Sequence, residues 1–259
     1  MAKTKKKGEK RAPVARPLSP TRLTELKAID EFPKVREDFD PQGAFKHEYD
    51  LWITYGYFPD RRNRVVGGLK LSKASPDGGK FKLGVVQTFM NSQSVLHTLT
   101  ASANCSHDQL ARPRRWRLRS KFDQTKDTWQ GIDKELRSKY EIDGTTLRVS
   151  TNDKTSSRKL QSWPTSDWSL FEAVQRFPFK SGFEVKCDLL EGLSVLRPAQ
   201  RITYEGQITH QWGSGKVQLH YYRQFGQGML PYEYYLDETH RLVMVVSGYR
   251  AYILKGGKA

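Results

Sequence analysis

The stretch Cys105, Ser106, His107, Asp108 places three kinds of metal-ligating side chain within four residues. If this stretch is extended, Cys105 and His107 point to one side, with His97 nearby. Zinc needs three or four convergent ligands, and no second pair stands at metal spacing, so no metal site is expected. His210, His220 and His240 can each be combined with Glu205 or Asp237 into a base and its orienting carboxylate. Any β protein of this size offers such pairs, and hydrogen-bonded structural histidines account for them equally well. The chain has no GxSxG, HExxH, Walker A or helix-opening GxGxxG signature. No catalytic residue and no cofactor is assigned, and an enzyme with a site hidden from sequence is the last alternative.

Cationic chemistry is denser. Residues 112–121, RPRRWRLRSK, carry six basic groups and no acid. Arg112, Arg114, Arg115, Arg117, Arg119 and Lys121 form the candidate anion-binding set. Read as a strand, Arg115, Arg117, Arg119 and Lys121 share one face, and Trp116, Leu118 and Phe122 share the other. Guanidinium groups ~6–7 Å apart along such a strand can track phosphates. Stacking on bases would need rings on the arginine face, and Trp116 points away from it. The chain as a whole has 44 Lys plus Arg against 28 Asp plus Glu, a formal charge of +16. Residues 1–20 hold +6 of it and residues 112–121 another +6, leaving +4 for the other 229 residues. Two concentrated patches point to an anionic partner, either a nucleic acid or an anionic surface. The competing explanation is a solvated outer face that protects a sheet edge.

The aromatic residues make a third set. SDWSLFEAVQRFPF, residues 166–179, has helical spacing in a chain that otherwise alternates at period 2. Leu170, Phe171, Val174 and Phe177 form one stripe, and Pro178 ends it. Ser166 or Asp167 can cap the start, and Ser169 with Glu172 matches a capping box one turn later. Trp163, Trp168 and Phe179 cluster around this helix, while Tyr221, Tyr222, Tyr232, Tyr234 and Tyr235 crowd the late strands.

These groups need a frame. Residues 1–18 read as a disordered basic arm with little to bury. Residues 19–45 read as a short helix, with Leu23, Leu26 and Ile29 on one face, and then a linker. Residues 46–259 read as a single β-rich domain. In YDLWITYGY, Tyr49, Leu51, Ile53, Tyr55 and Tyr57 fall on one side. SPDGG reads as a turn, Asp143–Gly144 as a hairpin tip, and TNDKTSSRK as a polar stretch. The expected fold is mainly β: a strongly bent antiparallel sheet, or half-barrel, of about ten to twelve strands, its concave side covered by one helix. No apolar run is long enough for a transmembrane helix. The basic start has no apolar stretch after it and is not a secretory signal as written, so the compartment stays open. The two cysteines, Cys105 and Cys187, are expected to be free buried thiols rather than a bridge.

The helix segment, VLRPAQRITYEGQ and YYRQFGQGMLPYEYYLDETHRLVMVVSGYRAYIL resemble the C-terminal half of lipoprotein-carrier-like half-barrels of the LolA/LolB type. The motif lies in residues 166–254, and the overall pattern extends over about residues 50–255. The resemblance implies an exported, non-enzymatic protein that holds an apolar or amphiphilic, lipid-like ligand, with the helix as a lid. Trp163, Trp168, Phe171, Val174, Phe177, Tyr222 and Tyr234 are the ligand-binding candidates. If these rings fill the concavity instead, they are core and the helix is a plug. The first alternative is a nucleic-acid-associated or coat-like protein that uses the arm and the arginine strand.

Overall fold

Alternation at period 2 becomes burial on one face, as β1 (Phe45–Ile53) shows. Phe45, His47, Tyr49, Leu51 and Ile53 are buried, while Lys46 and Glu48 are exposed. The computed structural model describes residues 38–53, 64–90, 95–123, 135–151, 154–212 and 215–255. Strands β2 (Arg64–Lys73), β3 (Lys80–Met90), β4 (Leu96–Ser106), β5 (Pro113–Asp123), β6 (Glu135–Asp143), β7 (Thr146–Thr151) and β8 (Lys154–Lys159) follow β1. Next come β9 (Thr165–Ser166), helix α1 (Asp167–Ala173) and a 3-10 turn (Val174–Arg176). The chain continues through β10 (Glu184–Glu191), β11 (Val195–Trp212), β12 (Gly215–Phe225), β13 (Tyr232–Leu236), β14 (Leu242–Ser247) and β15 (Arg250–Leu254).

All fifteen strands form one open, curved sheet in the order β8-β7-β6-β5-β4-β3-β2-β1-β15-β14-β13-β12-β11-β10-β9. Consecutive strands pair antiparallel from β1 to β8 and from β10 to β15, β1 also pairs antiparallel with β15, and the short β9 is parallel to β10. The curvature follows from connectivity. β8 and β9 are the two edges, yet only residues 160–164 separate them in sequence. Five residues span at most ~18 Å. A flat sheet of this size would hold its edges ~65 Å apart at ~4.8 Å per strand. The sheet therefore curls until its ends meet. Trp116 on β5 donates its indole N–H to the Leu193 carbonyl in the β10–β11 turn at 3.0 Å. Trp163 donates to Pro113 O at 3.0 Å, and Thr165 Oγ1 donates to Leu110 O at 2.6 Å.

Helix α1 lies inside the curl. Phe171 meets the rings of Tyr49, Tyr234 and Tyr252 edge-on, with centroids 6.0, 6.1 and 5.3 Å away. Phe177 meets Tyr222 at 5.6 Å. Rings from β1, β12, β13 and β15 thus converge on one short helical segment.

Several expectations need correction. Among the described residues the sheet has fifteen strands rather than ten to twelve. TNDKTSSRK is not only a polar stretch, because it contains edge strand β8, whose six residues are all exposed. An edge exposed on both faces carries no apolar alternation to reveal it. β9 has two residues, too few for any period. The first strand begins at Phe45, inside the expected linker. The helix is capped by Ser166, whose hydroxyl accepts from the Ser169 N–H at 3.0 Å. Glu172 makes no capping box, because two buried cations hold its carboxylate. The arm at residues 1–18, the expected helix with Leu23, Leu26 and Ile29, and Tyr55 and Tyr57 lie outside the described residues. The turn at SPDGG and the hairpin at Asp143–Gly144 stand as expected, with Gly78, Gly79 and Gly144 at positive φ.

Candidate functional site

The interior is packed. Trp168, Phe171, Val174, Phe177, Tyr222 and Tyr234 are each 4% exposed or less. Trp163 stands apart from them, with the Arg114 guanidinium 4.8 Å from its ring. The polar side of α1 is buried as well. Glu172 Oε1 lies 2.7 Å from Lys73 Nζ and 2.8 Å from Arg176 Nε. Lys73 also donates to Pro41 O at 3.0 Å, and Arg176 donates to Asp108 O at 2.8 Å. Gln175 Oε1 accepts from the Leu242 N–H at 3.1 Å, and its amide nitrogen donates to Phe171 O at 2.9 Å. Asp167 accepts from the N–H groups of Gly192 and Trp168 at 2.8 and 2.9 Å. Burial nevertheless pushes its carboxyl up to about 7. Among the described residues the buried Trp168 indole N–H has no partner.

The histidines are held by rings. Phe179 is sandwiched between His220 and His240, with centroids 3.7 and 3.8 Å away and planes within 2°. His220 Nδ1 is 2.7 Å from Tyr204 OH. Burial holds both imidazoles below their ordinary value, and His220 lowers His240 further. His97 stacks on Phe122 at 4.4 Å and sits at the opposite end of β4 from Cys105. His107 lies just beyond β4, edge-on to Phe81 at 5.9 Å. Among the described residues no group of three His, Cys, Asp or Glu side chains can hold a metal ion. Cys105 and Cys187 are free thiols, both pushed up to about 12 by burial. The side chain of His210 lies outside the described residues.

The outer face of β3–β8 is the open, polar surface. β5 turns Trp116 and Leu118 inward and Arg115, Arg117, Arg119 and Lys121 outward. Arg112 and Arg114 do not join that row. Arg112 pairs with Asp108 just before the strand, and Arg114 reaches Ser106 Oγ at 3.2 Å. Acids on β6, and Asp123 on β5 itself, take most of the outward charges. Arg115 pairs with Glu141 at 2.6 Å, Arg119 with Glu135 at 2.7 Å, Arg137 also with Glu135, and Lys121 with Asp123. Two arginines together hold the Glu135 carboxyl at about 2. Arg117 differs. It lies directly opposite Lys139 on β6, and among the described residues neither forms an ion pair.

The register places Ser102, Arg117, Lys139, Ser150 and Thr155 in one line across β4, β5, β6, β7 and β8. An open cleft of about 950 Å³ lies on one side of this line and another of about 900 Å³ on the other. These five residues line both clefts. Alternation in the sequence indicates which face Arg117 takes. The acids that occupy its neighbours could be found only through strand register, which the sequence does not spell out.

No family model and no curated protein matches the chain. Among solved structures it is similar to the crystal structure of a β-barrel-like protein, a domain of unknown function (DUF1849) from Brucella abortus. Identity is 11% and the TM-score 0.53, covering 83% of this chain and 95% of that one. A dehydratase domain from the CurF module of curacin polyketide synthase aligns at 8% identity over 90% of this chain and 80% of its own, but with a TM-score of 0.11 that carries no argument. The likeness at this identity is one of architecture: the chain has a β-barrel-like fold.

Proposed function

We propose that the protein is a non-enzymatic binding protein that takes an anionic partner on the outer face of β3–β8. The observation that carries the reading is the pair Arg117 and Lys139, which has no ion-pair partner among the described residues and stands where two clefts share a wall. The carrier reading, in which a LolA/LolB-type half-barrel holds an amphiphilic ligand beneath a lid, calls for space between α1 and the sheet. The close packing of Phe171, Val174 and Phe177 favours a plug instead. An enzyme reading gains nothing from histidines stacked against Phe179 and Phe122.

Salt-dependent binding to a matrix of double- or single-stranded DNA tests the reading. The basic residues 1–20 will bind such matrices too, so the comparison is between the full chain and its Arg117→Ser/Lys139→Ser variant. Each lost contact removes roughly 0.7–0.9 from the slope of log affinity against log salt, so the double variant should lose about 1.4–1.8. An unchanged slope would leave the face merely solvated.

A further inference from the structure

We infer that the line from Ser102 to Thr155 is a site for one phosphoryl group, a phosphomonoester or its inorganic equivalent. This inference deepens the outer-face reading and rests on it.

Like charges directly opposite one another in an antiparallel pair work against the sheet. The neighbouring positions avoid this cost. Arg115 faces Glu141, Lys121 faces Glu135, and Glu135 also bridges the opposed Arg119 and Arg137. Among the described residues, the Arg117–Lys139 pair alone on this ladder has no acid to relieve it. A bound anion is the missing counter-charge.

The donors define which anion. A phosphomonoester carries about −1.5 to −2 charge near neutrality, matching one guanidinium plus one ammonium. A planar carboxylate is satisfied by the guanidinium fork alone. A tetrahedral phosphoryl group presents further oxygens, and hydroxyl groups flank the cations on both sides. Ser102 lies opposite Arg117, and Ser150 lies opposite Lys139. Ser150 Oγ is 3.0 Å from Thr155 Oγ1, so the outer hydroxyl supports the inner one. Arg, Lys, Ser and Thr side chains are the usual donors to phosphate oxygens. The flanking arginines are engaged by Glu141 and Glu135 and frame the site without entering it.

The test is a titration of the full chain with sodium phosphate, then with phenyl phosphate, at fixed ionic strength near pH 7.5, followed by amide NMR. Sodium acetate is the comparator. Saturable shifts centred on Ser102, Arg117, Lys139 and Ser150 are expected with both phosphates. Arg117→Ser and Lys139→Ser should each weaken binding at least tenfold, while Arg115→Ser stays within about twofold. An equal response to acetate, or phosphate affinity indifferent to Arg117 and Lys139, overturns the inference. If matrix binding depends on these two residues but phosphate does not saturate, the anion-binding face stands and the phosphoryl assignment falls. If neither depends on them, both fall. Cosedimentation with phosphatidylcholine vesicles containing phosphatidic acid, lost in the double variant, would place the phosphoryl group on a lipid. Saturation by phenyl phosphate without cosedimentation would place it on a soluble ester.

Discussion

Asp167 is buried beside Gly192, and desolvation raises its carboxyl to about 7 although two backbone N–H groups pull the other way. A carboxyl raised on folding holds its proton more tightly in the folded chain than in the unfolded one. Its stabilising contribution is therefore present at low pH and is lost as pH rises from its ordinary value of 3.8 through about 7. His47 acts in the opposite sense. Burial first, and then the nearby Arg241, lower it from 6.5 to about 4. The unfolded chain takes up that proton first, so stability is lost as pH falls from 6.5 toward 4. Thermal midpoints across pH should show Asp167→Asn gaining on the wild type between pH 4 and 7. His47→Gln should gain on it between pH 7 and 4.5. Parallel curves for wild type and either variant would show that the group does not titrate differently on folding. At this scale the sequence told which side of β5 Arg115, Arg117 and Arg119 take. It did not tell that Glu141 and Glu135 neutralise most of them, since that depends on how β5 and β6 align.

The stripe Leu170, Phe171, Val174 and Phe177 was legible because helical spacing stands out among alternating strands. That the other side of α1 is buried too was not legible. Glu172 and Gln175 look like the wet face of an amphipathic helix, yet their partners Lys73 and Leu242 come from distant strands. β8 was missed for a related reason, since an edge exposed on both faces has no core to record in its residues. Two substitutions probe the packed helix. Phe171→Ala should cost about 3–5 kcal/mol in denaturant unfolding if α1 is a plug. A loss under ~1 kcal/mol would mean the ring already borders space, which is what a lid over a ligand requires. Glu172→Gln should cost about 3–5 kcal/mol, because it leaves Lys73 and Arg176 buried without their counter-charge. If Glu172→Gln is tolerated as well as an exposed substitution, water must reach the ion cluster.

A bent antiparallel sheet was foreseeable from the long run of alternating segments around one helix. The closure was not. It depends on β1 pairing with β15 and on the short link between the two edge strands. Such non-local pairing brings a high contact order, so folding should be slow relative to a helical chain of this length. The edge seam should also open independently of the β1–β15 centre, since side chains and not a strand ladder close it. Trp116 is its clearest member: its ring stacks on Tyr140 at 4.9 Å, and its N–H reaches across to Leu193. Trp116→Phe keeps an aromatic ring against Tyr140 but removes the donor. Leaving the buried Leu193 carbonyl unsatisfied should cost about 1–3 kcal/mol. Native-state hydrogen exchange gives the sharper readout. Amides of β5 around residue 116 and of the turn at 192–194 should lose protection together, while β1, β2 and β15 keep theirs. Equal loss in β1 and β15 would mean that the sheet opens as one unit and that the seam has no separate motion.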